Sequence, residues 1–342
     1  MKPNFKPYPI AIKHLEEAVP YMRYDGGETP EAWQERARGL LGELLGLSAF
    51  QYCDPLFAIE YDRAAETPTG QKVREIRFTV QTEEGYFVPC QLWIPADVPV
   101  PLPVCICLQG HSTGKHISFG KPIYPRDSVT ISGGDRDFAV RACQEGFAAL
   151  GIDQRCMGEC GSHEDGAPFC YETAMTMLLT GRTLLGARVW DISRVIDVLG
   201  EIPELDTDRI LCMGNSGGGT ATTYAAAMDP RITYAMPSCA VCDYDRSIGI
   251  MNHCACNFVP RIANYFDMGD LLGLIAPRPL VVVSGERDPI FLLDGAKNSV
   301  AEGRKLYKAM GAEELLRHVV GDGEHRFYAD PAWAALHEII GK

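Results

Sequence analysis

The chain has 342 residues, 46% of them hydrophobic, and a formal net charge of −13 with no block of lysine and arginine. That content supports a sizeable core, and the acidic balance argues against a nucleic-acid or anionic-membrane partner, since both need a basic surface. No apolar run reaches the roughly 18 residues of a membrane span. The first residues, MKPNFKPYPIAIKHLEEA, have neither the apolar stretch nor the small-residue site of a signal peptide, so a cytoplasmic protein is expected.

Residues 1–65 read as a helical extension. Thr29-Pro30 makes an N-cap and first-turn pair. Trp33, Ala37, Leu40, Leu41, Leu44 and Leu45 recur at helical spacing until Gly46 stops the run. From about residue 71 the period shortens to two. REIRFTV and GYFVPCQLWIP, joined by the turn TEEG, predict an antiparallel hairpin. PVCICLQG (103–110) is continuously apolar, as a strand buried on both faces should be. FAALGID (147–153), RILCMGN (209–215), ITYAMPS (232–238), PLVVVSG (279–285) and LLRHVVG (315–321) are of the same kind.

Helical patterns at 136–145, 171–199, 219–229, 295–310 and 332–340 alternate with these strands. Alternation of this sort implies a mainly parallel sheet covered by helices on both faces. The expectation is one α/β domain over 1–342, with about eight strands. The long segments 111–134 and 240–278 would cover its ligand-binding edge. Thirteen cysteines, several inside apolar strands, read as reduced core residues.

Ligands of such sheets bind beyond the C-terminal strand ends. The strand RILCMGN runs there into Ser216 and the glycines 217–219. A phosphate loop would need a lysine, and none follows. The alternative is a nucleophile elbow, G-x-S-x-G, formed by Gly214 to Gly218. A serine hydroxyl needs a histidine base and an orienting carboxylate, which follow the serine in the order acid, then histidine. Asp288 lies just past PLVVVSG, and His325 lies in the loop after LLRHVV. Glu286 and Asp322 are the rival acids. An oxyanion hole would take the backbone N–H of Gly217 and that of His111, in the loop LQGHSTGK.

Taken together, LQGHSTGK, GIDQRCMGECGS, GNSGGGT, APRPLVVVSGERDPIF and GDGEHRF resemble the α/β-hydrolase superfamily over about residues 70–342. The nearest likeness is to bacterial esterases of the acetyl xylan esterase and dienelactone hydrolase-like groups. The resemblance implies an α/β-hydrolase fold and a serine esterase acting on small-acyl or carbohydrate-linked esters. It assigns Ser216 as nucleophile, Asp288 as acid, His325 as base, and Gly217 and His111 as oxyanion donors. Gln109 stands where such loops often have His, and Cys156 where the pattern D-x-R-G-x-G usually has Gly. Asp153 and Arg155 are expected to hold that second loop.

Three further residues are candidates for substrate contact: Asn215 beside the serine, Glu159 in the loop ECGSHEDGAP, and His253 in MNHCACNFVP. His253, Cys254 and Cys256 are also soft metal ligands. No second cluster at zinc-like spacing completes them, and alternation would point His253 away from the two cysteines. No metal and no cofactor is therefore expected. The partner is a small-molecule ester, and a homo-oligomer is compatible with the sequence. The rival readings are a prolyl-oligopeptidase-like serine peptidase and a non-catalytic binding protein on a hydrolase fold.

Overall fold

The computed structural model describes residues 6–161, 163–164 and 166–341. Among these residues nine strands form one sheet: β1 (Phe57–Glu66), β2 (Lys72–Glu83), β3 (Tyr86–Pro95), β4 (Leu102–Leu108), β5 (Ala148–Ile152), β6 (Leu205–Asn215), β7 (Ile232–Ser238), β8 (Leu280–Gly285) and β9 (Leu316–Gly321). Their order is β1-β2-β3-β5-β4-β6-β7-β8-β9. The pairings from β1 to β5 are antiparallel, and those from β5 through β4 to β9 are parallel.

Eleven α-helices occur among the described residues: α1 (Pro7–Glu16), α2 (Pro30–Leu45), α3 (Asp127–Gly134), α4 (Phe138–Gln144), α5 (Tyr171–Leu178), α6 (Leu184–Val198), α7 (Gly217–Met228), α8 (Ile262–Tyr265), α9 (Met268–Ile275), α10 (Leu293–Ala309) and α11 (Ala329–Ile340). None is long and apolar enough to cross a membrane.

The pleat divides the core in two. On β4, Val104, Ile106 and Leu108 join a cluster with residues of α2, α6, α7, α9 and α10. Cys105 and Cys107 point the other way, into a cluster with α4 and α11 that holds Phe138, Phe147 and Trp333. Helix α2 begins as its sequence predicts. Thr29 Oγ1 accepts from the Ala32 N–H at 3.3 Å, and Gly46 closes the helix in the left-handed region at φ 74°. Trp33, Ala37, Leu41 and Leu45 are buried along one stripe. Each large apolar side chain buried this way contributes about 1.5–3 kcal/mol.

The structure corrects two expectations. The helical extension ends in a strand, because β1 occupies 57–66 and pairs with β2. Its side chains are mostly exposed, so no apolar period marks it. The helix expected over 171–199 is two helices, parted at Gly181 (φ 73°) and restarted by Thr183, whose Oγ1 accepts from the Gly186 N–H at 2.9 Å. The segment 240–278 contains α9, which is wholly buried and opened by a capping box between Asp267 and Asp270.

Candidate active site

β6 delivers Ser216 at the sheet's C-terminal edge in a strained turn, with φ 56° and ψ −126°. Holding a non-glycine residue there costs about 1–3 kcal/mol. The turn is pinned on both sides: Ser216 N–H donates to Ser238 O at 2.8 Å, and Ser216 O accepts from Thr220 N–H at 2.8 Å as α7 begins. The flanking glycines are steric necessities. A Cβ on Gly218 would lie 2.1 Å from Leu108 O, and one on Gly214 2.6 Å from the same oxygen. Among the described residues none hydrogen-bonds to Ser216 Oγ. The contact between histidine and serine is thus open here, as in many unliganded hydrolases.

β8 and β9 place the acid and the imidazole. Asp288 Oδ2 lies 2.8 Å from His325 Nδ1. Asp288 Oδ1 accepts from the N–H groups of Ile290 at 2.9 Å and Phe291 at 3.1 Å. Burial pushes the Asp288 carboxyl up, but the hydrogen bond and charge of His325, with those two N–H groups, outweigh it and hold it below its ordinary value. The Phe291 ring stacks on His325 with centroids 6.0 Å apart. Nothing in the sequence pattern pointed to Phe291. The rival acids face solvent: Glu286 reaches Arg287 at 3.6 Å with its side chain 58% exposed, and Asp322 is exposed.

The loop after β4 lies against this turn. A Cβ on Gly110 would sit 2.6 Å from Asn215 O and 3.0 Å from Ser216 Cβ, so only glycine allows the approach. Gln109 anchors the loop through Nε2, which donates to Ser118 Oγ at 2.8 Å and Arg136 O at 2.7 Å. Gln154 Nε2 donates to Gln109 O at 2.6 Å. The His111 N–H bonds to no acceptor among the described residues, and Gly217, as the first residue of α7, has no intrahelical partner for its own. Gly110→Ala is expected to displace this loop and lower kcat by about 10²-fold, the effect of losing one oxyanion donor. Steady-state kinetics with a chromogenic ester would measure it, and an unchanged kcat would detach the loop from the reaction.

Asp153, at the end of β5, braces the same loop. Its carboxylate accepts from Lys115 N–H at 2.6 Å, Lys115 Nζ at 2.8 Å and Glu159 N–H at 3.1 Å. Arg155 pairs with Asp191 at 2.7 Å and with Glu83 at 2.6 Å. Cys156 adopts φ 69°, the left-handed conformation for which glycine is the usual residue.

Of the three expected substrate contacts, the structure redirects two. Glu159 pairs with Arg77 and Lys115. Burial opposes its ionisation, yet those two cations pull its carboxyl down to about 2. Its oxygens are thus committed to bracing. Asn215 is wholly buried, and its Oδ1 accepts from Ser238 Oγ at 2.9 Å. Its side chain lies within the sheet because residues alternate along β6. His253 does border the site, edge-on to His111 at 6.1 Å and to Phe291 at 6.3 Å. Burial pushes its imidazole down to about 4. A cleft of about 300 Å³ opens beside it, lined by Tyr171, Met175, Leu178, Asn252 and Phe258 among others.

The expectation that the cysteine segment lacks a complete donor set is also corrected. His253 stays apart, but His111, Cys170, Cys254 and Cys256 bring their ligand atoms within 4.8 Å of one another. Spacing could not reveal this, because the fold gathers the donors from three distant stretches of chain.

Residues 64–305 match the Abhydrolase family. A Bacillus subtilis (strain 168) protein, YtaP, provisionally named a hydrolase, is 28% identical over 222 residues, 63% of this chain and 71% of that protein. A structure from Bacteroides fragilis NCTC 9343, provisionally described as an acetyl xylan esterase, superposes with a TM-score of 0.76 at 16% identity, covering 98% of this chain and 90% of that one. A glucuronoyl esterase from Solibacter usitatus gives 0.68 at 16% identity over 95% and 97% of the two chains. An acetyl xylan esterase from Paenibacillus sp. R4 gives 0.56 at 17% over 96% and 98%. At these identities the solved structures share the fold, an α/β-hydrolase sheet with helices on both faces.

Proposed function

This chain belongs to the Abhydrolase family, and on that premise we propose that it is a serine hydrolase cleaving carboxylic esters through an acyl-enzyme. The observation that carries the reading is the Asp288–His325 hydrogen bond of 2.8 Å, formed at the sheet edge where the strained turn presents Ser216. Asp288 fixes the imidazole with Nδ1–H toward the carboxylate, leaving Nε2 as the base. His325 takes the Ser216 proton as Oγ bonds to the ester carbon. The carbonyl π pair moves onto oxygen, where the N–H groups of Gly217 and His111 receive it. Collapse breaks the C–O bond, and His325 returns the proton to the leaving alcohol. Water then attacks the acyl-serine with the same base, releasing the acid and restoring Ser216.

For the substrate, we favour a small-acyl or carbohydrate-linked ester. The names of the acetyl xylan and glucuronoyl esterases that share the fold support this, and the cleft beside His253 gives it room. A cytoplasmic setting fits the ten buried free cysteines, which a reducing compartment preserves.

The pH profile tests the base. The Asp288 carboxyl is held low, so it stays ionised while an imidazole titrates. Its contribution to stability is present at neutral pH and is lost only as pH falls through the depressed value. A histidine base acts only in its neutral form, so kcat/KM should rise with pH on the acid side and then level. A flat profile from about pH 5 to 8 would exclude a histidine base. A panel of acetylated sugars and chromogenic acyl esters would then fix the acyl and alcohol preference.

A further inference from the structure

Four side chains that the ester reaction leaves unused converge behind the oxyanion loop. His111, Cys170, Cys254 and Cys256 each offer one ligand atom, all within 4.8 Å of one another. They arrive from the loop after β4, from the residue preceding α5, and from the segment at the 3₁₀ turn Ala255–Asn257. Cys170 and Cys256 are buried, while His111 and Cys254 are half-buried. His111 Nε2 stands 3.0 Å from Cys256 Sγ. One imidazole and three thiols form the Cys₃His donor set of closed, four-coordinate zinc centres. With Zn–S bonds of about 2.3 Å, tetrahedral sulfurs sit about 3.8 Å apart, so the observed span needs little adjustment to close on an ion.

Charge balance points the same way from a different residue. Arg188 is 1% exposed. Its Nη2 donates to Arg155 O at 3.0 Å and to Cys170 Sγ at 3.4 Å, while its Nε and Nη1 have no hydrogen-bond partner among the described residues. No carboxylate pairs with it among the described residues. A buried guanidinium without a counter-charge is strongly destabilising. Three neutral thiols would leave it uncompensated, and three bare thiolates would repel one another. Three thiolates, one neutral imidazole and one dication carry a net charge of −1, which Arg188 neutralises.

We propose that His111, Cys170, Cys254 and Cys256 form a structural zinc site with Arg188 as its buried counter-ion. As each Zn–S bond forms, the thiol proton leaves to solvent, and His111 ligates as the neutral imidazole. Four protein ligands leave no open position for water, so the metal acts by tethering rather than as a Lewis acid. It joins the loop that carries the His111 N–H to the start of α5 and to the segment beside His253. The site does not depend on the ester reading, so Ser216→Ala should bind zinc as the wild type does.

The test uses the whole chain, purified with thiols reduced and without chelator. Zinc content by mass spectrometry should reach one ion per chain. Cobalt(II) added to the stripped protein should give thiolate-to-cobalt charge-transfer absorption and the visible bands of a tetrahedral site. Cys170→Ser and Cys254→Ser should weaken zinc binding by more than about 100-fold, beyond the effect of losing an outer-shell partner, and Cys53→Ser should not. Should the ligand variants fail to fold, alkylation of the wild type decides. Zinc should protect Cys170, Cys254 and Cys256, and a chelator should expose them. The proposal is overturned by reduced, folded wild type that gives no cobalt–thiolate absorption. It is equally overturned by equal alkylation with and without zinc, by unaltered affinity in Cys254→Ser, or by a Cys170 disulfide in protein that still refuses zinc after reduction.

Discussion

Ser216→Ala should lower kcat for an activated acetyl ester by about 10⁴-fold or more, the scale seen when the nucleophile of such a triad is removed. The folded state should survive intact. Among the described residues Ser216 Oγ has no hydrogen-bond partner, so its removal leaves no buried group unsatisfied. Alanine inherits the same φ of 56°, so the backbone strain is common to both proteins and cancels in the comparison. Thermal unfolding would check the fold, and a fluorophosphonate probe would check the chemistry. Wild type should be labelled at Ser216, and the variant should not be labelled at all. Retention of more than about 5% of the wild-type rate, where a removed triad member leaves orders of magnitude less, would sink the assignment of the nucleophile.

The second large effect concerns the acid. Asp288→Asn should cost about 10⁴ in kcat, because an amide holds the imidazole in the wrong tautomer while leaving its position unchanged. Glu286→Gln and Asp322→Asn should change the rate by less than about threefold, since both are exposed groups of the kind whose substitution is usually mild. The geometry behind the ranking is specific. Asp288 is 3% exposed and meets His325 at 2.8 Å, with its other oxygen fixed by two backbone N–H groups. The Glu286 carboxylate reaches Arg287 at 3.6 Å. The opposite ranking in purified, folded variants would move the acid and leave the other two residues in place.

The parallel strands and the residues at their C-terminal ends were legible because burial on both faces writes continuous apolar runs. The residue following each run then lands at one edge of the sheet. That rule singles out Ser216, Asp288 and His325 as candidates, and the structure brings the last two within 2.8 Å of each other. β1 escaped because it has little apolar face to write a pattern. The break at Gly181 is marked by that glycine and the cap Thr183, but the helical apolar spacing continues on either side of it. Glu159 and Asn215 show a different limit. Their positions were read well enough, but their partners, Arg77, Lys115 and Ser238, are brought in from distant parts of the chain. The cluster of His111, Cys170, Cys254 and Cys256 is the extreme case, in which the information lies wholly in tertiary contact.

The strand that the sequence concealed also governs how the molecule meets its neighbours. β1 closes one end of the sheet and leaves a row of backbone donors and acceptors open, a template on which another chain could stack. Its side chains oppose that use. Glu60, Asp62 and Arg63 pair across to Arg77 at 3.1 Å, Arg74 at 2.5 Å and Glu75 at 2.7 Å. A register shift between Ile59 and Tyr61 interrupts the ladder. The Asp62–Arg74 pair, exposed on both sides, adds little to folding stability. The value of these pairs lies in the charge an approaching edge would have to desolvate, which makes this border of the sheet a fence against continuous β-assembly. Stacking of a further strand on the β1 edge is thereby disfavoured.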